Sequence, residues 1–109
     1  MTITVYAHGF DLTAALQEYA QRRVGAALGR FAGKVTRVVV RLTDVNGPRG
    51  GVDKRCLVHV SLSDRPAVVI KDSQDDLYVA IDRAAARAAR SLVRRATALR
   101  YFRRRGSNT

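Results

Sequence analysis

The stretch RAAARAARSLVRRATALRYFRRR, residues 83–105, leaves the chain little freedom: alanine and arginine both favour helix, and no acidic residue occurs within it or after it. Nine of the eleven net positive charges fall in residues 83–109. With Arg83 at zero and about 100° per residue, Arg87, Arg90 and Arg94 return within about 40° of it, and Arg100 is read as the far end of the same rail. Ile81, Ala85, Ala88, Leu92 and Leu99 gather near the opposite side. One side must therefore lie on a core while the other carries a basic rail roughly 25 Å long at 1.5 Å per residue.

An ordinary solvated helix interleaves glutamate with its lysines and arginines, because opposite charges at i,i+4 stabilise it by a few tenths of a kcal/mol and like charges cost about as much. Here like pairs repeat at 83/87, 87/90 and 90/94 with no acid among them. Such an arrangement calls for a polyanion. A membrane surface fits poorly: the apolar side is mostly alanine and is needed for the core, and no apolar run approaches the roughly 18 residues that span a bilayer. Nucleic acid remains.

The preceding residues supply the core that this helix needs. Ile3 and Val5 alternate with polar residues in TITVYAH, the mark of a strand with one buried face. In DLTAALQEYAQRRVGAALGRF the period changes: Leu16, Ala20, Val24, Ala27, Leu28 and Phe31 share one helical face, with Asp11 or Thr13 as N-cap and Gly33 as the C-terminal stop. TRVVVRLTDV turns Val38, Val40 and Leu42 one way and Arg37, Val39 and Arg41 the other; KRCLVHVSLS repeats the alternation with Cys56, Val58, Val60 and Leu62. NGPRGG, residues 46–51, reads as the mobile basic tip of a hairpin between them. SDRP turns into a fourth strand, AVVIK, and Ser73 with Asp76 has the form of a capping box opening the last helix. The order β-α-β-β-β-α gives an α+β sandwich: a four-stranded, mainly antiparallel sheet with two helices on one face.

At 109 residues, 47% of them hydrophobic, the chain reads as one globular domain. Cys56 is the lone cysteine and the N-terminus carries no signal-like segment, so the expected setting is the cytoplasm. Arg23 and Arg30 form a smaller basic group seven residues apart on the first helix. They either widen the rail into a groove or snorkel over the core edge. Gly25 and Gly29 are placed on that helix's outward face. Chemistry is hard to find: His8 and His59 are isolated, neither lies at metal-ligand spacing with Cys56, and GPRGG lacks the lysine and hydroxyl of a phosphate loop. No enzyme activity, cofactor or small-molecule substrate is expected.

The run DLTAALQEYAQRRVGAALGRF, the strand entry VVV and above all DDLYVAIDRAAARAARSLVRR resemble the ribosome hibernation promoting factor family, which includes the ribosome-associated inhibitor A proteins. Asp76, Tyr78, Ala80, Ile81 and Asp82, leading into a basic helix, carry most of the likeness. The resemblance implies the same β-α-β-β-β-α fold, similar in shape to double-stranded-RNA-binding domains. It also implies binding to the small ribosomal subunit and its rRNA, in the channel of messenger RNA and the A- and P-site tRNAs, with translation blocked during stress. By position, the family's rRNA-facing basic residues match Arg23, Arg83, Arg87, Arg90 and Arg94. Residues 1–105 are then one ribosome-binding domain and 106–109 a disordered tail. Longer members carry a C-terminal domain that pairs ribosomes; nothing here matches it, so ribosome pairing is not expected of this chain.

Two other functions compete. A generic RNA- or DNA-binding module would use the same rail without preferring ribosomal subunits, and a subunit-interaction domain would pair an exposed strand edge with a second copy. The hibernation reading expects a monomer away from the ribosome.

Overall fold

The structure, a computed structural model, describes the backbone of residues 1–44 and 53–107 and the side chains of 1–44 and 53–96. Four strands and two helices follow in the expected order: β1 (Thr2–His8), α1 (Ala14–Leu28), β2 (Val35–Asp44), β3 (Lys54–Leu62), β4 (Val68–Gln74) and α2 (Leu77–Ser107). The sheet order is β1-β2-β3-β4; β1 runs parallel to β2 and the other two pairings are antiparallel. The hairpin tip expected at 46–51 lies outside the described residues, as do 108 and 109 of the expected tail.

Both helices cover one face of the sheet because alternation gives each strand one apolar side. Val5, Val38, Val40, Leu42, Cys56, Val58, Val60 and Val68 are buried from below; Leu16, Ala20, Val24 and Leu28 of α1 meet them from above, with Ala80, Ile81, Ala84, Ala85, Ala88 and Leu92 of α2. Alanine at four of the six α2 positions lets that helix backbone sit close to the strands. Burial pushes the Cys56 thiol up to about 12, which leaves it protonated and unreactive at neutral pH.

Three local expectations need correction. Ser73 caps nothing: β4 continues through Gln74, where Ser73 pairs with Arg55. Asp76 takes the capping role, its Oδ1 accepting the Tyr78 N–H at 2.7 Å. Gly33 is not a left-handed stop either. α1 ends at Leu28 and runs into a 3₁₀ turn, Gly29–Phe31, whose Gly29 and Phe31 carbonyls accept from the Ala32 and Lys34 N–H groups. At the other end Thr13 is the cap, its Oγ1 accepting the Leu16 N–H at 3.2 Å. Gly25, finally, does not look outward: a Cβ there would lie 3.6 Å from Cδ1 of Ile3, whereas Gly29 faces open space.

Gly9, just past β1, is the one described residue with a positive φ, +88°, and a Cβ on it would come within 2.9 Å of the Asp44 carbonyl oxygen. Both backbone conformation and space demand glycine. Gly9→Ala is expected to lower stability by about 1–3 kcal/mol, measured as a shift of the urea midpoint at unchanged m-value.

Candidate nucleic-acid interface

The α2 core face and the arginine face lie on opposite sides of the helix, as the periodicity requires. Arg83, Arg87, Arg90 and Arg94 are all exposed while Ala84, Ala85, Ala88 and Leu92 are buried. They do not have equal freedom. Arg87 bends down to the β4 edge, where Nη1 donates to the Lys71 carbonyl at 2.7 Å and to Asp72 Oδ2 at 3.0 Å. It acts as a strut between α2 and the sheet. Arg83, Arg90 and Arg94 make no ion pair or side-chain hydrogen bond with the described residues. These three form the rail that is open to a ligand.

The charge of Arg87 can be uncovered. Asp72 is nine-tenths buried, so its charge is held in place by Arg87 and by the Gln74 amide, which donates to it at 2.7 Å. Asp72→Asn keeps the shape and removes the counter-charge. The guanidinium keeps its bond to the Lys71 carbonyl but its charge is no longer answered, and the salt dependence of RNA binding is expected to steepen by about one in log–log slope, read from titrations at several salt concentrations.

The two helices do lie side by side, but Arg23 is spent on joining them. Its Nε stands 3.2 Å from Asp82 Oδ1, the same oxygen that accepts the Tyr19 hydroxyl at 2.5 Å. The hydrogen bond to Asp82 holds the Tyr19 phenol above its usual range, burial adding to it. Tyr19 also meets Tyr78 edge to face, ring centroids 4.9 Å apart. Arg23 therefore sits at the α1–α2 junction with its charge partly answered. Arg22, its neighbour, is exposed on α1 with no such tie among the described residues; spacing alone does not single it out, and the doublet Arg22–Arg23 is its one signal in the sequence.

Arg30 is separated from the rail. It stacks over the Phe31 ring at 5.1 Å and borders a cleft of about 320 Å³ at the end of α1, together with Lys34, Arg65 and Arg95 around an apolar floor of Leu62 and Leu92. Arg95 donates from Nη1 to the Pro66 carbonyl at 2.8 Å. It follows Arg94 directly, yet one helical step of about 100° carries it off the rail. The side chain of Arg100, the expected far end of the rail, lies outside the described residues; by helical period alone, seventeen steps of about 100° put position 100 roughly 100° from position 83. Among the described residues the rail runs from Arg83 to Arg94.

Guanidiniums that lack partners within the fold present planar, permanently charged donors suited to phosphate. Among the described residues no three histidines, cysteines or carboxylates cluster where a metal ion would be held, and no helix is long and apolar enough to cross a membrane.

Solved structures of other proteins share this fold. The N-terminal domain of Protein Y from Thermus thermophilus superposes with a TM-score of 0.70 at 24% identity, over 86% of this chain and 98% of that one. A ribosomal subunit interface protein from Coxiella burnetii does so with a TM-score of 0.73 at 17% identity, over 89% and 99%. No curated protein matches the chain. The sequence profile described as sigma 54 modulation protein / S30EA ribosomal protein matches residues 3–100. With nearly the whole domain inside that match, and the fold built as its relatives' folds are, the chain belongs to the sigma 54 modulation protein / S30EA ribosomal protein family.

Proposed function

We propose that the chain is a hibernation factor that docks on the rRNA of the small ribosomal subunit, in the channel of messenger RNA and the A- and P-site tRNAs, and so blocks translation under stress. One observation carries this reading: Arg83, Arg90 and Arg94 stand exposed in a row, without partners among the described residues, on a helix packed on the sheet. Membership of the sigma 54 modulation protein / S30EA ribosomal protein family supports a ribosomal partner. The row neutralises phosphates and releases counterions, and the folded body fills space that tRNA and messenger need. Occlusion requires no catalysis. Residues 1–105 act as a single domain, a monomer off the ribosome, in the cytoplasm where its partner is found.

Sucrose-gradient sedimentation with separated subunits tests it. The protein should travel with small subunits at 50 mM salt and lose about a thousandfold or more in affinity by 200 mM if some six phosphates are contacted. Subunits preloaded with messenger and tRNA should exclude it, and bulk duplex RNA should compete poorly. Competition by duplex RNA as effective as by subunits would make it a generic nucleic-acid binder instead.

A further inference from the structure

The helix-free face of the sheet is a second charged surface. On it Arg37, Arg41, Arg55 and Lys71 are exposed, and none forms a side-chain hydrogen bond or ion pair with the described residues. The carboxylates carried by the strands, Asp44 and Asp72, fall on the opposite parity, with the core positions Leu42 and Ile70. Solvated sheet faces gain stability from opposite charges across strands and lose it from like ones; this one carries four cations and no acid at its outward positions. The strand register draws them together. Tyr6, Arg41, Leu57 and Lys71 form one row across all four strands. Arg55 and Arg37 flank that row, two and four residues along the strands, and His59 stands in the row between. Strands lie about 4.8 Å apart, so Arg41 and Lys71, two strands apart, are separated by roughly 10 Å. Tyr6 is 47% exposed, an aromatic ring placed directly beside Arg41.

We propose that this face binds a single-stranded RNA segment, its phosphates on Arg37, Arg41, Arg55 and Lys71 and one base stacked on Tyr6. A flat sheet bearing cations and an aromatic platform suits unpaired nucleotides, whose faces are free to stack, better than a duplex, whose bases are already stacked. The rail on α2 lies on the other side of the molecule, so the chain braces two RNA segments at once. The inference rests on the reading above only for the identity of the partner; the surface is independent of the rail.

Anisotropy titration of a fluorescein-labelled 12-nucleotide oligouridine, without ribosomes, tests it. The variant Arg37→Gln/Arg41→Gln/Lys71→Gln should bind at least about tenfold more weakly than wild type. Tyr6→Ala, which changes no charge, should lose about fivefold or more, the lower end of what one stacked base contributes, and Tyr6→Phe should restore it. The rail variant Arg83→Glu/Arg90→Glu/Arg94→Glu should keep a Tyr6 dependence. Circular dichroism and melting temperature establish that each variant is folded, and the surface substitution Tyr6→Ala remains decisive should the triple variant unfold. Oligouridine binding indifferent to Tyr6 and to the sheet-face cations overturns the proposal. Failure of the wild type to sediment with small subunits would overturn the hibernation reading and leave this titration unaffected.

Discussion

Reversal of Arg83, Arg90 and Arg94 to glutamate is expected to abolish co-sedimentation with small ribosomal subunits while the fold remains. Each of the three is exposed and ties up no group of its own chain, so the substitution breaks no internal contact. A charge-assisted hydrogen bond contributes about 1.5–3 kcal/mol; losing three removes at least about a thousandfold in affinity. The residual salt dependence should flatten by about three in log–log slope. Arg87 is left out deliberately. Its replacement would also release Asp72 and the β4 edge, so a binding defect there would have two explanations. A folded triple variant that still sediments with subunits would remove the rail as the docking surface.

The second large effect is on stability. Ile81 is wholly buried where α2 crosses the sheet, among alanines that cannot expand to fill a gap. Ile81→Ala is expected to cost about 2–5 kcal/mol, which for a domain of this size lowers the melting temperature by about 10 °C or more. Binding of the fraction that remains folded should be unchanged, because Ile81 and the rail lie on opposite sides of α2. Thermal melts alongside binding at low temperature separate the two. A variant that keeps its melting temperature would mean that the α2–sheet contact is looser than the packing indicates.

The parts of the fold set by local periodicity were readable beforehand. Alternation in β2 and β3 assigned Val38, Val40, Leu42, Cys56, Val58 and Val60 to the core, and the helical period did the same for Val24, Leu28, Ile81 and Ala88. What depended on contacts distant in sequence was not readable. Asp72 and Asp82 look like strand-end and helix-start acids, yet the fold brings Asp72 to Arg87 and Asp82 to Arg23, so of the expected row of five arginines the four described ones, Arg83, Arg87, Arg90 and Arg94, become three and a strut. Ser73 fits the local motif of a cap, yet the ladder with Arg55 prevails by extending β4. Arg30 was grouped with Arg23 by spacing, but the 3₁₀ turn at the end of α1 carries it onto Phe31.

Like charges fixed along α2 also govern how the unbound protein responds to its medium. Raising ionic strength shortens the Debye length from about 30 Å at 0.01 M to about 8 Å at 0.15 M, which relaxes the strain among Arg83, Arg90 and Arg94 and makes the free molecule harder to melt. The same change strips away the polyanion. Thermal resilience and grip therefore move in opposite directions with electrolyte, and in dilute medium the ligand itself restores the missing robustness by mass action.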